Sequence, residues 1–145
     1  MRLYTIGFTK KSASQFFETL RAAGVARVVD VRLNNVSQLA GFAKKQDLAY
    51  FLDKICAIRY AHVPPLAPTQ QILDSYKKHG GGWGEYEREF LQLMKDRRIE
   101  TTWFQELQDA DCLLCSEEKA DNCHRRLVAE YLAAHHDDIR IQHLG

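Results

Sequence analysis

Short apolar runs alternate along the chain with longer segments in which apolar residues recur every three or four positions. The runs at 3–8, 25–32, 58–63, 111–115 and 139–144 are typical of strands buried in a sheet. The segments at 12–23, 46–57, 69–79, 85–97, 102–109 and 123–135 have the spacing of amphipathic helices. This alternation predicts an α/β fold in three layers, with a mostly parallel sheet of about five strands and helices on both faces.

Local signals mark several boundaries of these elements. Ser12 or Ser14 can cap the first helix, Gly24 ends it, and Asn122 is placed to cap the last one. Residues 80–84 hold four glycines around Trp83, which predicts a flexible segment that acts as a hinge or lid. The aromatic residues beside it either stack on a base or anchor this segment to the body.

The composition predicts one soluble globular domain over residues 1–145. Hydrophobic residues make up 46% of the chain and charged residues 27%, values that exclude a disordered or collagen-like protein. No stretch approaches the roughly 18–20 apolar residues that span a bilayer, so we expect a cytoplasmic protein without a membrane partner. In a reducing compartment the four cysteines, at positions 56, 112, 115 and 123, are expected to stay thiols.

The formal net charge of +1 conceals an asymmetry between the two halves of the chain. Residues 1–60 hold ten Lys or Arg against four Asp or Glu, and residues 61–145 hold ten against fifteen. The halves therefore attract each other within one fold, or the basic half attracts phosphates. A pI near 7.7 does not favour a dedicated nucleic-acid-binding domain, for which a value above about 9 is expected.

Polar residues follow the predicted strands at one edge of the sheet. In a parallel α/β sheet this edge, at the carboxyl ends of the strands, is where ligands bind. The residues predicted there to bind substrate are Thr9, Asp30, Arg32, Tyr60 and His62. Asp30 and Arg32 share a strand face, so the carboxylate can orient a guanidinium that binds a phosphate or carboxylate.

The strongest signal is the segment that joins the fourth strand to the last helix. Cys115 is the candidate nucleophile, and Glu117 and His124 are candidates for acid–base work. Cys123 lies at a helix N-terminus, which lowers a thiol pKa, and Arg125 beside it would help to bind an anion. These features predict a small anionic or nucleotide-like ligand.

Two other interpretations use the same residues. In a structural one, the cysteines are small buried hydrophobes and Glu117 forms an ion pair with Arg125. In a metal site, Cys112, Cys115, Cys123 and His124 would be the ligands of a tetrahedral zinc ion. Two observations argue against zinc, so no metal is predicted: Cys112 and Cys115 point to opposite faces of a strand, and adjacent ligands are an unusual spacing.

Several short motifs resemble one known family. They are Thr5-Ile6-Gly7-Phe8-Thr9, Val29-Asp30-Val31-Arg32 with Ser37 and Phe42, Tyr60 with His62, Leu113-Leu114-Cys115-Ser116-Glu117, Cys123-His124-Arg125 and His143-Leu144. Together they resemble the domain of unknown function 488 family, which implies a compact bacterial or archaeal α/β domain with a shared polar site. The family name records no reaction. The chain departs from the pattern at Phe8, where the family usually has a histidine, which removes one candidate general base, and at residues 65–68.

The residues thus favour an enzyme acting on a phosphorylated or nucleotide-like substrate. The alternatives are a non-catalytic module that binds nucleotides or nucleic acid, and a zinc-stabilised binding domain.

Overall fold

The computed structural model describes residues 1–34, 41–77, 80–117 and 120–145, and in these residues five parallel strands form one sheet. The strands are β1 (Arg2–Gly7), β2 (Arg27–Asp30), β3 (Arg59–His62), β4 (Asp111–Cys115) and β5 (Arg140–His143). The α-helices are α1 (Ala13–Ala23), α2 (Lys45–Phe51), α3 (Gln70–Lys77), α4 (Trp83–Asp96), α5 (Ile99–Thr102) and α6 (His124–His135). The predicted α/β class is confirmed, and the sheet is parallel throughout.

The strand order is β3-β2-β4-β1-β5, which creates a switch point between β2 and β4. After β2 the chain continues outward to β3, whereas after β4 it passes through α6 to β5 at the opposite edge. The connections that follow these two neighbouring strands therefore diverge and leave a crevice at their carboxyl ends. Residues 31–34 and the segment after Cys115 lie at this crevice.

Each face of the sheet has its own apolar core. In β4, Cys112 and Leu114 pack with Phe16 and Leu48 on the side of α1 and α2. The alternate positions Leu113 and Cys115 pack on the other side, with residues of α4, α5 and α6. Because successive side chains of a strand point to opposite faces, one fully buried strand serves both cores, and the predicted three layers are confirmed.

The first helix has the predicted ends. The Ser12 side chain accepts a hydrogen bond from the Gln15 backbone N–H, and Gly24 ends the helix in the left-handed region with φ of 76°. The last helix begins one position later than predicted, because Cys123 and not Asn122 is its N-cap residue. No side-chain bond caps α6 at Cys123, and the Arg126 backbone N–H donates instead to the Cys123 carbonyl oxygen at 3.1 Å.

Three sequence predictions need correction here. The helix expected over 102–109 is replaced by the short α5 and a 3₁₀ turn at Phe104–Glu106, because Asp109 is drawn to β1 by a hydrogen bond from the Arg2 backbone N–H. The helix expected over 46–57 is α2 followed by a π-helical turn at Leu52–Cys56. Trp83 and Gly84 belong to α4 and not to a loop. Ser37, named in the family motif, lies outside the described residues.

Ion pairs join the basic and acidic halves of the chain. Arg2 pairs with Asp109 at the surface, and Arg27 pairs with the buried Asp111 at 2.6 Å. Both pairs connect a strand of the N-terminal half to the region of β4, which supports the interpretation that the charge asymmetry acts within the fold. In the part of the chain that the structure describes, no helix has the length and apolar character needed to cross a membrane.

Candidate functional site

A cleft of about 190 Å³ opens at the switch point, between the carboxyl ends of β2 and β4 and the helices α3 and α4. Five of the ten predicted site residues line it: Arg32, Cys115, Glu117, Cys123 and His124. Its other lining residues are Leu33, Asn34, Pro68, Leu73, Tyr76, Lys77, Trp83, Tyr86, Ser116 and Asn122. The predicted crevice therefore holds all four residues proposed for catalysis and one of those proposed to bind substrate.

Arg32 is the buried cation of the cleft, with 4% of its surface exposed. Its Nε and Nη2 donate to the two carboxylate oxygens of Asp30 at 2.9 and 2.8 Å, and its guanidinium lies 5.3 Å from the centre of the Phe8 ring. Its third nitrogen, Nη1, is buried and has no hydrogen-bond partner among the described residues. A buried donor left unpaired is costly, so this nitrogen marks a position where a ligand acceptor would be favoured.

Asp30, Tyr60 and His62 surround Arg32 but do not line the cleft. The Tyr60 hydroxyl donates to the Asp30 carboxylate at 2.6 Å, and His62 Nε2 lies 2.9 Å from the Arg32 carbonyl oxygen. Alternation along the sequence predicted that Asp30 lies beside Arg32 and Tyr60 beside His62, although β2 ends at Asp30; the contact between the two pairs comes from the pairing of β2 with β3. Asp30 and His62 contact Arg32, and Tyr60 contacts the Asp30 carboxylate. These three residues therefore position the Arg32 side chain.

Cys115 and Cys123 are paired as a disulfide, whereas Cys56 and Cys112 are free. The expectation that all four remain thiols is therefore wrong for this pair. The last residue of β4 and the N-cap residue of α6 face each other across the loop, with their Cα atoms 7.2 Å apart. Cys112, on the opposite face of the sheet, is fully buried, and burial raises the pKa of its thiol.

His124 connects the two sides of the crevice. Its Nε2 lies 2.6 Å from the Val31 carbonyl oxygen, and its Nδ1 lies 3.5 Å from Cys115 Sγ. A carbonyl can only accept, so Nε2 carries the proton and Nδ1 presents a lone pair to the sulfur. Burial lowers the pKa of His124 to about 4, which makes the ring neutral at pH 7.

Glu117 and Arg125 do not form the ion pair considered from the sequence. The Glu117 carboxylate lies at the rim, 3.3 Å from Lys77 Nζ. Arg125, 1% exposed, donates from Nη1 to the Glu117 backbone carbonyl at 2.7 Å and from Nε to Thr5 Oγ1 at 3.3 Å. Arg125 therefore holds the loop from beneath and is not among the residues that line the cleft. Burial lowers its pKa to about 10.

The same loop rests directly on the end of β1. The backbone N–H of Thr9 donates to the Ser116 carbonyl oxygen at 3.0 Å, and the Thr9 hydroxyl donates to the same oxygen. A Cβ added to Gly7 would lie 2.8 Å from Arg125 Nη1 and would overlap the Glu117 carbonyl. Thr9, predicted to bind substrate, thus contacts the loop, and residue 7 must be glycine for the loop to approach this closely.

A series of stacked aromatic rings also lines the cleft, where Trp83 and Tyr86 are lining residues. Trp83 stacks on Tyr86 with ring centres 5.0 Å apart, and Tyr86 stacks in turn on Phe90. Phe90 contacts the His124 ring at 5.4 Å. Tyr86 is buried, whereas Trp83 is partly exposed, so the tryptophan is the ring available to a ligand and the tyrosine anchors it.

Sequence reasoning missed the face of α3 that closes the cleft. Leu73, Tyr76 and Lys77 all line it. Their spacing of three and four places them on one side of a helix, which is the signal that could have grouped them. The spacing does not show which other element this side of α3 packs against.

One group of possible metal ligands lies in the described part of the chain. Cys115 Sγ, Cys123 Sγ and His124 Nδ1 all lie within 4.8 Å of one another, and the three residues are buried. Cys112, the fourth ligand considered from the sequence, belongs to the core on the other face.

A family model described as "Domain of unknown function DUF488" matches residues 12–132, which is most of the chain. The searches of curated proteins and of solved structures found no match to this chain.

Proposed function

The chain belongs to the DUF488 family, whose description names no reaction, and from the cleft itself we propose an enzyme that acts on a phosphorylated or nucleotide-like substrate. The observation that carries this proposal is the unpaired Nη1 of Arg32, a buried cationic donor at a cleft-lining position. The guanidinium already uses two nitrogens on Asp30, so it is held rigidly and the third is free for an anion.

Two neighbouring features favour the same class of ligand. α6 starts at His124, and Asn122, Cys123 and His124 line the cleft, so the positive end of the helix dipole lies beside it. Trp83 lines the cleft and is partly exposed, and an aromatic ring there suits the planar base or aromatic group of a nucleotide-like molecule.

The reacting groups lie at the floor of the cleft. In the reduced chain, Nδ1 of His124 takes the Cys115 thiol proton, and the thiolate attacks the substrate phosphorus while the bond from phosphorus to the leaving oxygen breaks. The leaving oxygen takes the proton from His124, and the Glu117 carboxylate, about half exposed at the rim, then accepts a proton from the water molecule that hydrolyses the phosphocysteine. These roles follow the sequence prediction, except that Cys123, also a catalytic candidate from the sequence, pairs with Cys115 in a disulfide that must be reduced before Cys115 can react.

Ligand binding tests the anion site without requiring turnover. Inorganic phosphate and adenosine 5′-monophosphate are titrated calorimetrically into the wild type, Arg32→Lys and Arg2→Lys. Lysine keeps the charge next to Asp30, but its single nitrogen cannot bind both carboxylate oxygens and an anion as the planar guanidinium can, so we expect Arg32→Lys to weaken binding by about tenfold or more. Arg2→Lys, at a surface ion pair away from the cleft, should bind as the wild type does. Equal binding by both variants, or no binding by the wild type, would contradict the proposal.

Turnover distinguishes the enzyme from a binding module. The reduced wild type and Cys115→Ser are incubated with a set of phosphomonoesters and nucleotides, and the products are measured by chromatography. An enzyme of the proposed class converts at least one compound, and Cys115→Ser reduces that rate strongly. Binding through Arg32 without conversion would instead identify a nucleotide-binding module.

A further inference from the structure

Cys115, Cys123 and His124 converge from two different elements. Cys115 ends β4, Cys123 is the N-cap residue of α6, and His124 is the first residue of that helix. Cys123 has extended backbone angles, φ of −136° and ψ of 140°, whereas His124 is already helical. The change of backbone conformation between these adjacent residues lets both side chains reach the same point, which answers the objection raised from their spacing.

The orientation of His124 is that of a metal ligand. Its Nε2–H donates to the Val31 carbonyl, so the ring orientation and tautomer are set and the Nδ1 lone pair is directed at Cys115 Sγ. Histidines that bind metals commonly donate their second ring N–H to a carbonyl or carboxylate in this way. A histidine that only filled space in the core would not require its free lone pair to face two sulfur atoms.

The distance between Cys115 Sγ and His124 Nδ1 agrees with tetrahedral coordination. Zinc–sulfur bonds of about 2.3 Å and zinc–nitrogen bonds of about 2.0 Å place two sulfurs about 3.8 Å apart, and a sulfur and a nitrogen about 3.5 Å apart. Cys115 Sγ and His124 Nδ1 are 3.5 Å apart. The two sulfurs are bonded in the structure, so they must be reduced and move apart before they can bind a metal.

We propose that the reduced chain binds one zinc ion through Cys115, Cys123 and His124, with the fourth coordination position open to the cleft. A dithiol reductant first transfers two electrons and two protons to the disulfide, which yields two thiols and the disulfide of the reductant. Zn²⁺ then displaces the two thiol protons. Two thiolates and a neutral imidazole balance the charge of the ion, and a three-ligand zinc site with an open position is the arrangement of catalytic zinc.

This assignment deepens the proposed function and rests on it for one point, that the open position faces the substrate. A zinc ion there would polarise a substrate oxygen or activate a water molecule beside Arg32, and Cys115 would then be a ligand and not the nucleophile. The proposal that zinc binds does not depend on the proposed function, because it rests only on the positions of the three side chains.

Metal titration of the full chain tests the site. The protein is reduced under anaerobic conditions, freed of metal with a chelator, and titrated with Co²⁺ and then Zn²⁺. We expect one Co²⁺ per chain with thiolate-to-cobalt charge-transfer absorption, loss of this absorption when Zn²⁺ is added, and no binding by the disulfide form. Cys123→Ser and His124→Gln should each weaken Zn²⁺ binding by about tenfold or more, whereas Cys56→Ser, which changes a free thiol elsewhere, should not.

Two results would overturn the assignment: a reduced wild type without cobalt–thiolate absorption, or a Cys56→Ser variant that loses this absorption as Cys123→Ser does. The wild-type spectrum decides the question even where a variant fails to fold, which circular dichroism shows. The phosphate titration of the metal-free disulfide form is a separate measurement. A failure of zinc binding therefore leaves the Arg32 site intact, and a failure of phosphate binding leaves the metal result intact.

Discussion

Arg32 and Asp30 are both buried, and each satisfies most of the polar atoms of the other. The carboxylate accepts two bonds from the guanidinium, one from the Arg32 backbone N–H and one from Tyr60. This arrangement fixes the guanidinium in a single orientation, because both ends of the carboxylate are occupied. Nη1 has no partner among the described residues and Arg32 lines the cleft, so the structural ion pair and the proposed anion site are two uses of one side chain.

Removing Arg32 should destabilise the fold more than removing an exposed arginine of the same sheet. Arg32→Leu leaves the Asp30 carboxylate buried without its cation, and we expect a loss of about 3–5 kcal/mol in the free energy of unfolding. Arg2→Leu breaks a pair whose side chains are about half exposed, and a much smaller loss is expected because solvent screens the two charges. Urea unfolding of both variants measures the difference. Similar losses of unfolding free energy would show that the buried pair stabilises the fold no more than the exposed pair does.

At the scale of elements, the site depends on how closely the β4–α6 loop approaches β1. Thr9 and Arg125 bind backbone carbonyls of this loop, and Gly7 leaves the space that the Glu117 carbonyl occupies. The loop carries Cys115 at its start and Cys123 at its end. Its position therefore decides whether these residues and His124 meet.

Adding a methyl group at Gly7 should have the opposite effect to adding one at Gly84. Gly7→Ala forces the loop away from β1, with an expected loss of about 1–3 kcal/mol in stability and weaker phosphate binding. Gly84 lies within α4 and a Cβ there meets nothing within 4 Å, so Gly84→Ala should stabilise the helix by about 0.5–1 kcal/mol. Thermal unfolding of the two variants checks the signs, and a stabilised Gly7→Ala protein would contradict the described contact.

At the scale of the whole molecule, His124 links the two diverging connections of the switch point. It reaches Val31 after β2 and Cys115 at the end of β4, and it packs on Phe90 in the core beneath. The protonation of this one ring is therefore coupled to the packing of both sides of the crevice.

The stability of the metal-free disulfide form should decrease as the pH falls from about 6.5 to about 4. The pKa of His124 is about 4 in the folded chain and about 6.5 in the unfolded chain, so in this interval the unfolded chain binds a proton that the folded chain excludes. The contribution of the neutral ring is complete above pH 6.5, and its loss amounts to about 3 kcal/mol.

Denaturant unfolding across this pH range measures the effect of His124. His124→Gln should have a flatter profile, since the titrating group is gone, while His143, whose pKa burial also lowers, is retained. Parallel profiles for the wild type and the variant would contradict the assignment to His124.

The local pattern of the chain determined most of the elements and the edge of the sheet that holds the cleft. The bounds of β4, the capping of α1 and the opposite orientations of Cys112 and Cys115 all follow from spacing of two or of three to four residues. The membership in the DUF488 family was likewise visible in short motifs. Such features depend on residues close in sequence, which is why the sequence alone carries them.

Tertiary structure decided which polar groups face the cleft and which stay beneath it. Arg32 and Arg125 were both predicted to bind substrate, yet Arg32 lines the cleft while Arg125 donates to the Glu117 carbonyl and does not line it. Only the folded chain shows that Cys115 pairs with Cys123, or that α3 brings Lys77 to the rim. These outcomes depend on distances between elements far apart in sequence, and those distances are set by the packing of helices on the two faces of the sheet and not by any local periodicity.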